Sequence, residues 1–296
     1  MATYDRGISK DAPVTGSTAF VVACFLAISL FNFIELNFII LTTFKRRAGL
    51  YFWSFIVATW GIPPYAIGFL LKNFRPSFNS YIYVTLIVVG WCPMVTGQSM
   101  VLYSRLHLIL HKRRWLRAVL LMIIVNAIIG HVPTTILVYG ANSSDPGPFI
   151  KPYSVYEKIQ ISIFFLQEMI ISGLYISETT KMLRIISFPG QDVNRDMLRH
   201  LIAVSIIVAA LDAPVLVFEY AGLYYLQTSY KALAYSTKLK LEFSILNRLV
   251  DVAKTRKGSS SLARTTERRG TADAVDMGMI DPLSTSYESP VTRLPR

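Results

Sequence analysis

The chain reads as long apolar stretches divided by short polar, basic ones. Continuous apolar runs cover roughly residues 17–44, 51–71, 81–110, 116–139, 155–183 and 198–220. Each can cross a hydrocarbon core of about 30 Å, which takes about 20 helical residues. None alternates apolar and polar as a membrane β-strand does, so helices are the expected spanning form. The separators read "KRR", "KNFRPSFNS", "HKRRWLR", "GANSSDPGPFIKPYS" and "RIISFPGQDVNRDMLRH". Pro63, Pro64, Pro93, Pro133 and Pro214 fall inside runs, where a membrane bundle tolerates them as kinks.

A seventh stretch, roughly residues 223–250, breaks the pattern. Its centre, "YKALAYSTKLKLEF", carries Lys231, Lys238, Lys240 and Glu242. Positions 231, 235, 238 and 242 recur at the spacing of one helical face. A charged inward face on a last membrane helix is the reading this spacing predicts.

Composition supports a membrane protein. Residues are 53% hydrophobic and only 16% charged, where soluble domains carry about 25% charged; the mean hydropathy is +0.44. The expected fold is all-α: a seven-transmembrane-helix bundle over residues 17–252, after a short N-terminal tail at 1–16. The first apolar run is too long for a cleaved signal segment and reads as a retained span. From residue 253 to 296 the chain is rich in Ser, Thr, Arg and Pro and lacks periodicity, so a disordered cytosolic tail is expected there. In "TRKGSSS", Ser259–Ser261 sit beside basic residues. This suits either a basic tail resting on anionic lipid or a phosphorylation-controlled one. Cys24 and Cys92 both lie in apolar runs, so neither a disulfide framework nor a zinc site is expected.

Basic residues set the orientation. With seven crossings, one side holds Arg6, Lys10, Lys72, Arg75 and Lys151, five in all. The other holds three at 45–47, four at 112–117, four at 181–199 and eight after Asp251, nineteen in all. The N-terminus is therefore expected outside and the C-terminus in the cytosol, at the plasma membrane rather than an endomembrane. Without a seventh crossing the basic tail would lie outside. The sequon at Asn142 falls in an outside loop and is a candidate glycosylation site.

A charge at the bilayer centre costs about 2.5–3.5 kcal/mol, so each needs a partner, a water cavity or a role. The candidates are Glu35, Glu168, Asp212 and the lysines of the seventh stretch. Counting residues from the span ends places Asp212 level with Lys231, and Glu35 level with Lys238 and Lys240. Two buried pairs are expected: Asp212–Lys231, and Glu35 with Lys238 or Lys240. Such pairs act as locks between helices or as a working site. Asn32, Asn37, Gln98, Asn126, His131, Gln167 and Glu168 read mainly as helix–helix hydrogen-bonding groups. Gln167, Glu168 and Gln98 are the candidates to line a cavity.

No metalloprotease, thiol–disulfide, phosphate-loop, dinucleotide or serine-hydrolase motif occurs. Four scattered histidines, His107, His111, His131 and His200, do not make a metal site. No enzyme, metal, cofactor or nucleic-acid partner is expected.

The segments "TFKRRAGLYFWS", "VTGQSMVLYSRLHLIL" and "STKLKLEFSILNRLV" resemble a family of integral membrane proteins of filamentous fungi. The family is rhodopsin-like in outline and has no assigned function. The resemblance covers residues 17–252 and implies a seven-helix fold and a fungal source; it brings no ligand or catalytic residue. A wider analogy is to G-protein-coupled receptors. It rests on helix count and on "YSRLH", which puts Arg105 near the cytosolic end of the third span. There it either couples to a cytosolic effector, such as a heterotrimeric G protein, or meets lipid phosphates. Ser104 stands where those receptors commonly have an acid, and NPxxY is missing. A retinal Schiff base on Lys231 or Lys238 lacks an acidic counter-ion in the third span, leaving only Asp212. The leading expectation is a receptor-like sensor of a small ligand; the alternative is a transporter or channel with a polar pathway.

Overall fold

A computed structural model describes residues 14, 16–43, 49–75, 79–110, 112–143, 145–185 and 192–245, with the side chains of residue 185 and residues 192–197 outside that description. Two units divide the chain, Met1–Arg248 and Leu249–Arg296, and only the first contains described residues. The expected disordered tail and the basic residues at 45–47 lie outside them.

The described residues are helical and contain no strand. The helices are α1 (Gly16–Thr43), α2 (Leu50–Phe74), α3 (Ser80–Ile109), α4 (Arg113–Ala141), α5 (Gly147–Ile185), α6 (Asp192–Ala210) and α7 (Ala213–Tyr220). An eighth, α8, runs over residues 224–245. Among the described residues six segments are long and apolar enough to cross a membrane: α1 to α5, and Leu198–Tyr220, which joins most of α6 to α7. This is a polytopic helical protein of membrane type.

The expected sixth span is broken where Asp212 precedes Ala213 and Pro214. Pro214 has no N–H, and its ring crowds the carbonyl four residues back, that of Ala210. The backbone tightens for one turn: Asp212 N–H reaches the Ala209 carbonyl at 3.3 Å, three residues back. The α7–α8 turn is closed by Gly222 at φ +70°. Leu223 N–H bonds Phe218 O at 2.9 Å and Gly222 N–H bonds Glu219 O at 3.2 Å, the paired bonds that end a helix on a left-handed residue. Helix α5 starts at Gly147, within the stretch read as a loop, because prolines fit the first helical turn.

Burial is inverted relative to a soluble protein. Only 28% of the most apolar window of α1 and 22% of that of α4 is buried. Phe31, Phe38, Leu121 and Ile128 stand exposed on them. By contrast, along the charge-bearing α8 only Ser244 is exposed. Apolar helices outside and a polar helix inside is the arrangement a hydrocarbon solvent favours, because polar groups must find partners within the bundle.

Helices α2 and α3 approach closely through small residues. Gly61 faces Gly90, Gly68 faces Tyr83 and Ile87, and Gly97 faces Ala58. A Cβ on Gly61 would stand 2.7 Å from the Gly90 carbonyl oxygen, and one on Gly97 2.8 Å from Ala58 N. Without a hydrophobic force between helices in lipid, such backbone contact supplies the packing energy. Gly130 of α4 likewise lies under the Phe164 ring of α5. Lys72, counted above as a loop charge, is buried with its ammonium 4.3 Å from the Tyr224 ring centroid.

Candidate functional site

Helix α8 is joined by side chains to α1, α2, α3, α5 and the α6–α7 break. Toward α1, Asn32 Nδ2 donates to Ser236 Oγ at 3.0 Å, and Lys240 Nζ donates to Glu35 Oε2 at 2.6 Å and Asn32 Oδ1 at 3.2 Å. Toward α2, Tyr65 donates its hydroxyl to the Thr228 carbonyl at 3.1 Å. Toward α5, Lys238 Nζ bonds Glu168 Oε2 at 2.6 Å, and the Tyr235 hydroxyl donates to Glu168 Oε1 at 3.1 Å. Lys238 also bonds Asp212 Oδ1 at the α6–α7 break. Toward α3, Glu242 Oε2 stands 2.6 Å from Arg105 Nη1.

The Arg105–Glu242 pair is fully enclosed, with side chains 1% and 0% exposed. The guanidinium lies over the Tyr175 ring, 4.4 Å from its centroid, and Nη2 reaches Ser205 Oγ at 3.4 Å. The charge contact is off the line of an ideal hydrogen bond, and Glu242 Oε1 has no hydrogen-bond partner. Arg105 therefore ties α3 to α5, α6 and α8 from inside the bundle. It does not sit among phosphates at the surface, because α8 offers a buried carboxylate at its level.

The depth-matched pairings divide. Glu35 is paired with Lys240, and that pair is half-exposed, 41% and 31%. Asp212 is paired with Lys238 and not with Lys231. Lys231 instead lies in the field of Glu157 and Glu219. Helical side chains lean toward the helix N-terminus. On α8 this carries each lysine head back toward the α7–α8 turn, so Lys238 reaches the level of Asp212 and Lys231 points past it. Lys238 lies seven residues beyond Lys231, about 10.5 Å along the helix, so the lean of the lysine covers part of that distance.

The three cavity candidates also separate. Glu168 and Asp212 line a cavity with Trp91, Phe164, Lys231 and Tyr235. Its volume is about 20 Å³, room for about one water and for no larger ligand. A retinoid on Lys231 does not fit it. Gln167, one residue from Glu168 and so about 100° round the helix, faces elsewhere. It accepts from Asn126 at 2.8 Å and donates to Ser99 at 2.9 Å, tying α5 to α4 and α3. Gln98 is fully buried, away from this cavity, with neither amide atom hydrogen-bonded.

Other span polar groups bond as helix ties: His131 Nε2 with Thr96 Oγ1 at 2.7 Å, and Thr134 Oγ1 to Gln160 Oε1 at 2.6 Å. Asn37 Nδ2 donates to the Phe33 carbonyl of the same helix at 2.8 Å. Asn142, the sequon residue, is buried, and its Nδ2, the atom a glycan would need, donates to the Val138 carbonyl at 2.9 Å. It closes the end of α4. Among the described residues no group of three His, Cys, Asp or Glu side chains is placed to hold a metal ion.

Sequence reading missed the Arg105–Glu242 and Tyr235–Glu168 contacts. The signal was present: Glu242 shares a helical face with Lys238, and Arg105 stands in a span with no acid of its own.

No curated protein and no solved structure matches the chain. Over residues 10–264 the protein belongs to the family described as a domain of unknown function, DUF7703.

Proposed function

We propose that the protein is a receptor-like sensor with α8 as its moving part. The observation that carries this reading is that Lys238 and Glu242, one turn apart on α8, hold different helices. Loosening either cluster frees α8 from one set of neighbours and shifts it against the other. A stimulus that loosens the Lys238 cluster would thus be felt at Arg105. In this reading α8 is a seventh crossing and the N-terminus lies outside, as the charge asymmetry favours. The resemblance to rhodopsin-like fungal membrane proteins supports the same outline. The stimulus is a small ligand, the site is at the plasma membrane, and the output is a cytosolic effector such as a heterotrimeric G protein; no catalytic role is proposed.

A transporter or channel is the second reading. It is favoured by buried ionisable groups extending from Lys231 to Glu242, about 16 Å along α8 at 1.5 Å per residue. The two readings separate in a yeast reporter strain expressing the full chain with a panel of fungal Gα subunits. Glu242→Gln, which cuts the tie to α3, should change basal reporter output. Silence with every subunit, together with an ion conductance abolished by Asp212→Asn, would overturn the receptor reading.

A further inference from the structure

Two carboxylates share one ammonium in the interior. Lys238 is fully buried, and Glu168 and Asp212 are 3% and 7% exposed. If all three were ionised, the cluster would carry one uncompensated negative charge. Buried charges of that kind neutralise by taking up a proton, since burial and a neighbouring like charge both oppose ionisation.

The geometry says where the proton goes. Both Glu168 oxygens already accept hydrogen bonds, Oε2 from Lys238 and Oε1 from Tyr235. Asp212 Oδ1 accepts from Lys238, but Asp212 Oδ2 is buried and has no hydrogen-bond partner among the described residues. Asp212 also forms part of the wall of the cavity of about 20 Å³, which has room for about one water as a first step for a departing proton.

The other groups facing the cluster do not cancel its charge. Helix α8 contributes Tyr230, Tyr235 and Glu242, with Lys231 on the same cavity wall. Lys231 lies in the field of Glu157 of α5 and Glu219 of α7, two negative charges against its one positive. Tyr65 of α2 faces Tyr235, and α3 lines the cavity only with Trp91 and Val95. Arg105 is committed to Glu242.

We propose that Glu168, Lys238 and Asp212 form a proton-binding site that holds one proton on Asp212 Oδ2, exchangeable through the adjoining cavity. This rests on charge count and geometry and not on the signalling reading. A sodium ion is the competing occupant by size, but the Lys238 ammonium already stands between the carboxylates.

The test is infrared difference spectroscopy on the full chain in lipid nanodiscs at neutral pH, without ligand or effector. Wild type minus Asp212→Asn should show one carboxylic-acid C=O band that shifts in D₂O. The same band should be lost in Glu168→Gln, which keeps Asp212 but leaves one carboxylate against one ammonium. Glu35→Gln should keep it. Saturating sodium should leave it unchanged. Absence of the band in wild type, its survival in Glu168→Gln, or its removal by sodium would each overturn the proposal. If Asp212→Asn fails to fold, wild type minus Glu168→Gln reads the same band.

Discussion

Arg105 of α3 and Glu242 of α8 stand 2.6 Å apart with almost no surface between them and the outside. Removing one partner of a buried pair leaves the other charge stranded, at about 3–5 kcal/mol, whereas an apolar replacement of both is often near neutral. Glu242→Gln and Arg105→Met should each lower stability by that order in an SDS-unfolding titration. The double variant Arg105→Met/Glu242→Leu should recover much of the loss. Additive losses would show that the two groups do not act on each other.

The half-exposed Lys240–Glu35 pair should behave differently. Partly solvated ion pairs contribute about 0–1 kcal/mol. Glu35→Gln should shift the same titration by less than Glu242→Gln does. A larger effect at Glu35 would mean that the pair is enclosed.

Gly90 has no room for a side chain. A Cβ there would meet Tyr65 N and, at 2.7 Å, the Gly61 carbonyl oxygen. Both are backbone atoms, so relief requires α2 and α3 to separate. Gly90→Ala should cost about 1–3 kcal/mol, as overpacking does, while Gly173→Ala, which meets nothing within 4 Å, should be neutral. Thermal midpoints of the two variants in one detergent check this directly.

Asn142 closes α4 through its own side chain. Glycosidase treatment should leave the electrophoretic mobility of the expressed protein unchanged, because Nδ2 is bonded to Val138 O. Asn142→Ala should lower the melting midpoint modestly by removing that bond, worth about 0.5–1.5 kcal/mol net. A mobility shift on deglycosylation would contradict the buried placement.

The legible part of the fold was its hydrophobic periodicity. Six long helices stood out because each is an uninterrupted apolar run, and their ends fall within a few residues of the structure except at α5, where prolines open a helix early, and at the sixth span, where α6 starts at Asp192 and ends at Ala210. The break in the sixth span was not legible: by sequence Pro214 reads as a tolerated kink, whereas α6 ends at Ala210 and α7 starts at Ala213, since Pro214 cannot continue the ladder. Partner choice inside the bundle was less legible. The face holding Lys231, Tyr235, Lys238 and Glu242 was readable from spacing. Which acid met which base depended on side-chain lean, on the rotation of α5 that turns Glu168 inward and Gln167 away, and on the depth of Arg105. Those are properties of assembled helices, not of any one stretch of sequence.

Helix α8 is held inside the bundle by charges that find partners on other helices, and Lys238 is its hub. The most direct measurement is a double-mutant cycle between Lys238 and Glu168, using Lys238→Met, Glu168→Gln and the combined variant, read by SDS-unfolding titration in one lipid–detergent mixture. With Nζ and Oε2 at 2.6 Å and both side chains buried, the account predicts a coupling of about 1–3 kcal/mol, the combined variant losing less than the two single losses together. Additivity to within about 0.5 kcal/mol would contradict it, since the two residues would then act on stability independently.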